Sequence, residues 1–223
     1  MGRRRLAIID PGPDVDSHVR ALASRAADAA SVKLLLTHGH SDHAAAAPRL
    51  AAALGAEVLG PGGVAGVTRP VEEGDAVETD DGMLVAFHTP GHTREHLAFH
   101  WPEGGAVFVG DLLLGRGDTT WVAEYPGCVH DYLETLDRLD AVGADVLYPA
   151  HGPPLEDARE AIARFRHHRL ERIEQVRRAR EAHPDADAEG LVDVVYGDTV
   201  PGSMRGAARK SLEAVVHHLY SHG

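Results

Sequence analysis

Four side chains of metal-ligand type fall within six positions in Thr37-His38-Gly39-His40-Ser41-Asp42-His43. Imidazole and carboxylate are donors that zinc and other borderline divalent ions accept. One tetrahedral ion cannot take all four from a single turn. The simplest arrangement is two neighbouring ions, with His38 and His40 serving one and Asp42 and His43 the other. Two such ions, about 3.5–4 Å apart, lower the pKa of a shared water from about 15.7 toward about 7. That supplies a nucleophile at neutral pH for an acyl carbonyl or a phosphorus centre, with Asp42 also able to accept a proton. The competing reading is a solvated histidine-rich loop, in a chain with 16 histidines. The strand-like run immediately before the cluster outweighs it.

That run, Val32-Lys33-Leu34-Leu35-Leu36, reads as a buried strand whose rigid end fixes the turn. Three further ligand-type residues also follow predicted strands: His92 after Met83–His88, Asp111 after Ala106–Val109, and His151 after Asp145–Tyr148. In layered α/β folds such strand ends converge on one edge of a sheet. A first strand, Arg5–Ile9, stops at Asp10-Pro11-Gly12-Pro13. Asp10 has two readings there, a cap on the turn or an orienting partner beneath a metal ligand. Helices are expected over 14–30, with Val15, Val19, Leu22 and Ala26 on one face, and up to Leu54, with Gly55 as its stop. Residues 61–75 read as loop. Asp80-Asp81-Gly82 closes a hairpin between Ala76–Thr79 and Met83–His88, Leu97–Trp101 adds another strand, and Tyr132, Leu133, Leu136 and Leu139 mark a further helix.

A chain of 223 residues, 43% apolar and 25% charged, can bury a large core with ordinary composition. The single cysteine, Cys128, excludes an internal disulfide and reads as a packing residue. No apolar run reaches membrane-spanning length and none resembles a signal core, so a cytoplasmic protein is expected. The net charge is −12, and residues 1–155 carry 22 acidic against 11 basic side chains. That acidic body counts against a polyanion as principal partner. From 156 to 223 the pattern turns helical. A long helix over Glu156–Ala182 carries an expected apolar stripe of Ile162, Phe165, Leu170, Ile173 and Val176. Its polar face holds Arg164, Arg166, Arg169, Arg172, Arg177, Arg178 and Arg180, interleaved with glutamates. Two shorter helices follow, near Ala188–Tyr196 and Arg205–Tyr220.

The ordered set T-H-G-H-S-D-H, T-P-G-H-T, V-G-D and P-A-H-G resembles the metallo-β-lactamase-fold hydrolases across most of residues 5–155. The stretches from Gly110-Asp111 and from Tyr148-Pro-Ala-His-Gly-Pro, with the helical tail, are similar to the branch containing β-lactamase-like protein 2. The resemblance implies a four-layer αββα sandwich with shortened N-terminal strands over 1–155, and a small winged-helix-like helical region over 156–223. It assigns His38, His40 and His92 to one ion, Asp42, His43 and His151 to the other, and Asp111 as the bridge. His96 falls where it either faces substrate or supports a ligand, the alternative being an exposed histidine. Two divalent ions are implied, zinc first, with manganese or iron compatible with the same donors. The expected reaction is hydrolysis of a small thioester, ester or lactone. Cleavage of single-stranded RNA, guided by the arginine-rich helix, is the alternative implied by the branch. Relatives usually carry two more strands before the segment matching Leu6–Asp10. The open sheet edge at that point raises the expectation of a homodimer.

Overall fold

The computed structural model describes residues 1–197 and 200–222. Its first sheet holds β1 (Arg5–Ile9), β2 (Ser31–Leu35), β3 (Glu57–Gly60) and β4 (Arg69–Pro70), in that order and all parallel. Parallel neighbours need crossovers. These are α1 (Asp16–Ala26), then the single turn α2 (Ser41–Ala44) with α3 (Ala47–Leu54). The second sheet runs β5 (Ala76–Thr79), β6 (Gly82–His88), β7 (Leu97–Trp101), β8 (Ala106–Gly110) and β9 (Val146–Pro149). Its pairs are antiparallel until β8 and β9, which run parallel with α4 (Cys128–Val142) as their crossover. Three helices close the chain: α5 (Ala158–Ala182), α6 (Ala188–Tyr196) and α7 (Arg205–His222). Among the described residues beyond Ala158 there is no strand.

Successive strand residues point to opposite faces, and that alternation builds the layers. On β2 and just past it, Leu34 and Leu36 pack with Val58, Val19 and Leu50 beneath α1 and α3. Leu35 instead joins Ala7 and Leu59 against Leu84, Ala86 and Phe99 of the second sheet. The outer face of that sheet, through Ala98, Val107, Val109 and Leu147, meets Tyr132, Phe165, Val176 and Leu212 from the helices. The result is the expected αββα order, with the last three helices sharing the outer core of the second sheet. Each fully buried Leu or Val on these faces contributes roughly 1.5–3 kcal/mol, so β2, buried on both faces, anchors the turn that follows it.

Several expectations change. The first helix is shorter than 14–30, because Val15 is extended and half exposed at its N-terminus. The span 61–75 is not wholly loop. Thr68 N–H bonds Val58 O at 2.9 Å and Val71 N–H bonds Gly60 O at 3.0 Å, pinning Arg69–Pro70 as an edge strand. Proline lacks an N–H and suits such an edge. On α5, Leu170 is 45% exposed and Arg169 only 3%. The buried face runs through Ala158, Ile162, Phe165, Arg169 and Val176, at spacings of three, four or seven residues. Reading only apolar types shifted the stripe off Arg169.

β1 lies at the edge of its sheet, where Met1 exchanges two backbone bonds with Ala7, at 2.6 and 2.8 Å. Asp80, in the β5–β6 turn, accepts the backbone N–H groups of Arg3, Arg4 and Arg5 at 2.6–3.1 Å. Those bonds hold its carboxyl well below the usual carboxylate range. Among the described residues no helix is long and apolar enough to cross a membrane.

Candidate metal centre

The first sheet brings its donors from one turn. After β2, Leu36 N–H still bonds Leu59 O at 2.8 Å, and Thr37 N–H turns to Asp10 Oδ1 at 2.8 Å. His40 is the extended N-cap of α2, and Asp42 and His43 ride on that helical turn. Asp10 has a left-handed φ of 45°, a conformation rare outside glycine, although Asp and Asn tolerate it better than most. Its carboxylate also accepts Thr37 Oγ1–H at 2.7 Å and lies 2.9 Å from His43 Nδ1. Of the two readings of Asp10, the one in which it orients a ligand fits these bonds.

The second sheet supplies one donor per strand end. Gly91, at φ 138°, brings the chain so close to Tyr132 that a Cβ would sit 2.7 Å from the tyrosine Cβ. His92 follows, its Nδ1 2.9 Å from Trp121 O, which leaves Nε2 to face inward. Asp111 comes directly after the irregular end of β8, where Gly110 takes φ 52°. His151 follows β9, with Ala150 N–H on Gly110 O at 3.0 Å and Gly115 N–H on His151 O at 2.8 Å.

These side chains converge. His92 Nε2 lies 3.1 Å from His40 Nδ1. Asp111 Oδ2 is 3.4 Å from His43 Nε2 and 3.7 Å from His92 Nε2, while Oδ1 is 3.5 Å from His151 Nε2. Asp42 Oδ2 lies 3.2 Å from His151 Nε2 and 3.6 Å from His43 Nε2. His38–His40–His92 and Asp42–His43–His151 are each compact enough to hold a cation, and Asp111 stands between them. Asp10–His38–His43 is also compact, but Asp10 meets the outward Nδ1 of His43, so it belongs behind the centre. Among the described residues, three buried atoms at the centre, His38 Nε2, His43 Nε2 and Asp111 Oδ1, have no hydrogen-bond partner. Buried polar atoms are rarely left so. Inward-facing orphan donors of these types fit divalent ions.

Electrostatics follow the same geometry. Burial and the surrounding imidazoles push His38 far below the ordinary histidine range. Burial also lowers His92, against the opposing pull of Trp121 O and Asp111. At His43 burial is outweighed by Asp10 and Asp111, and its pKa rises to about 10. Asp111 is lowered, the cost of burial being overcome by His43, His92 and His151. Asp42 and His151 are about half exposed and form the open side. From there an open cavity of about 1030 Å³ runs along β1 to Phe108 and Tyr148.

His96 is fully buried, which removes the exposed reading and leaves it no surface to offer a substrate. Its Nδ1 lies 2.7 Å from Thr89 Oγ1, and its Nε2 accepts Asp111 N–H at 3.3 Å. Burial holds it neutral, with the neighbouring imidazoles adding to the effect. Sequence reasoning missed Thr37, Thr89, Thr120 and Trp121. Thr37 adjoins the ligand turn and could have been found there. Trp121 acts through its carbonyl, which no side-chain type reveals.

A family model described as the Metallo-beta-lactamase superfamily matches residues 2–66 and 60–151. A Beta-lactamase-like protein 2 homolog of Caenorhabditis elegans is 27% identical over 236 residues, covering 100% of this chain and 77% of that one. The atrochrysone carboxyl ACP thioesterase AacuM of Aspergillus aculeatus is 31% identical over 202 residues, 85% of this chain and 63% of that one. The crystal structure of the metallo-beta-lactamase family protein TTHA1429 from Thermus thermophilus shares the fold. Its TM-score is 0.78 and its identity 23%, over 99% of this chain and 86% of that chain. TTHA1623, solved in a di-iron-bound form, is 30% identical at a TM-score of 0.55, over 69% of this chain and 85% of that chain.

Proposed function

The chain belongs to the metallo-β-lactamase superfamily, and from that premise we propose a dinuclear metal-dependent hydrolase acting on a small thioester, ester or lactone. The observation that carries this reading is a trio of buried atoms without a hydrogen bond among the described residues: His38 Nε2 and His43 Nε2, one in each compact donor group, and Asp111 Oδ1 between the groups. His38, His40 and His92 would hold one ion, Asp42, His43 and His151 the other, and Asp111 both. Zinc suits these donors, and manganese or iron fits the same set. When bound, the ions supply Lewis acidity and a water-derived nucleophile at neutral pH.

The residues of the chain do the positioning. Asp10 and Trp121 O fix the rings of His43 and His92, and His96 holds the backbone at Asp111. Asp42, half exposed on the open side, is placed to accept a proton from substrate or water. The cavity along β1 gives an acyl group room beside Asp42 and His151.

An acyl substrate is favoured over RNA by the state of the α5 arginines. Arg164 pairs with Glu160 at 3.0 Å, Arg166 with Asp137, and Arg178 and Arg177 with Glu174. Arg180 bonds Ala186 O at 2.7 Å. Paired arginines offer phosphates little net field. The thioesterase relative, alike over 85% of this chain, points the same way. A cytoplasmic setting and a homodimer through the β1 edge belong to the same proposal, the former supported by the lone buried Cys128. Light scattering at the monomer mass would end the dimer.

The deciding experiment offers zinc- or manganese-loaded protein a panel of acyl thioesters, esters and lactones beside a fluorescent single-stranded RNA. Turnover of a thioester, ester or lactone is expected. Cleavage of the RNA alone, falling steeply with salt, would overturn the acyl reading.

A further inference from the structure

Arg169 is 3% exposed on α5, and the metal chemistry above makes no use of it. Burial is the dominant influence on its charge and lowers its pKa, against the opposing pull of Tyr132, Cys128 and Tyr196. A buried guanidinium over a tyrosine ring, with no ion pair among the described residues, is a poor stabiliser, since its desolvation is not repaid by an anion. Among the described residues its Nε has no hydrogen-bond partner. What it does reach is a backbone atom: one terminal nitrogen donates to Thr120 O at 3.1 Å.

That carbonyl belongs to the loop between β8 and α4, and the loop touches the centre on both sides of it. Thr120 Oγ1–H donates to Asp111 O at 2.7 Å. The next carbonyl, Trp121 O, orients His92 through Nδ1. Arg169 also lies over the Tyr132 ring, 5.4 Å from its centroid. Tyr132 in turn donates to Leu112 O at 3.2 Å and packs against Gly91, the neighbour of His92. Two routes from Arg169, through Thr120 and through Tyr132, thus reach the backbone at Asp111 and Leu112 and the neighbourhood of His92.

We propose that Arg169 is a positioning residue for the metal centre, clamping the Thr120–Trp121 backbone so that Asp111 and His92 are held with their donor atoms inward. The proposal rests on the metal-centre reading and extends it into the helical region. A partner that orients a metal ligand commonly changes metal affinity by about 10–100-fold when removed. Arg169→Met keeps an unbranched apolar stem and removes the donor, and Arg169→Lys keeps a charge and a donor of shorter reach.

The test titrates metal-free wild type, Arg169→Met and Arg169→Lys with Zn²⁺ against a chromophoric chelator. Hydrogen exchange across residues 112–127 is followed in the same metal-free proteins. Zinc affinity in Arg169→Met is expected to fall at least about tenfold with faster exchange in the loop, while the thermal midpoint of the metal-free protein holds or rises. Arg169→Lys is expected to restore part of the affinity, and it decides the matter if the methionine variant does not fold. Equal affinity and equal exchange in a folded variant would overturn this inference alone. Zinc binding by none of the three proteins would sink the metal-centre reading together with it.

Discussion

The first sheet presents four donors from a single turn, His38 to His43, whereas the second presents one each from the ends of β6, β8 and β9, spread from His92 to His151. In the first case the spacing of neighbouring residues and one helical turn set the geometry. In the second, strand register and the loops between strands must bring distant residues together. The half built on one turn is locally determined. The half built on three strand ends holds only if the whole second sheet and its covering helices are in place.

The largest effects should come from the donors themselves. Asp111→Ala removes the carboxylate within 3.4–3.7 Å of His43, His92 and His151. Elemental analysis should find neither ion retained, with turnover abolished. His40→Ala leaves Asp42–His43–His151 intact and is expected to lose metal and activity together. Full activity from protein with an emptied site would refute the hydrolase reading.

Next come the supports, and here the sheets can be compared directly. Asp10→Asn weakens the hold on His43 in the first sheet, and Thr89→Val frees His96 beneath Asp111 in the second. Each should lower zinc affinity by about 10–100-fold. Thr89→Val should also loosen the backbone at Asp111, seen as faster amide exchange there. An equal exchange response in the two variants would erase the distinction between local and distributed construction.

The same distinction explains what the sequence revealed. The ligand turn was legible because its donors are adjacent and follow a run as apolar as Leu34-Leu35-Leu36. His92, Asp111 and His151 were legible because each follows a strand pattern. Three strands, β1, β5 and β7, fall at the residues expected of them. What escaped was work done by groups whose type carries no signal, such as Trp121 O, and burial decided by tertiary packing. Arg169 reads as a surface residue until α4 and the 112–127 loop close over it. His96 reads as ambiguous until Thr89 and Asp111 N–H occupy its two nitrogens.

A smaller effect tests the junction of the two halves. At Gly110 an added Cβ would lie 2.7 Å from both Thr37 Oγ1 and His96 Nε2, one from each sheet, on a backbone at φ 52°. Gly110→Ala should cost about 1–3 kcal/mol from the backbone alone, measured by urea denaturation. A change below experimental error would mean the sheets yield there.

The smallest concerns acid. Asp80 ties the β5–β6 turn to Arg3, Arg4 and Arg5, and its pKa is depressed by those backbone N–H groups. A depressed carboxyl contributes stability that is fully present above its unfolded pKa of about 3.9 and is lost as pH falls through the lower folded value. The gap in melting temperature between wild type and Asp80→Asn should be constant near neutrality and shrink below about pH 4. A gap independent of pH down to acid unfolding would remove the carboxylate from this account.

The outer face of the second sheet is covered by α4 and, over the rest of its area, by the helices that come last in the chain. Val107, Val109 and Leu147 wait for Phe165, Val176 and Leu212. At about 5–20 residues per second of synthesis, the stretch from Ala158 to His222 takes roughly three to thirteen seconds to appear. Throughout that interval a nascent chain carries an apolar wall that is only partly covered, the stage of synthesis at which it is most exposed to aggregation.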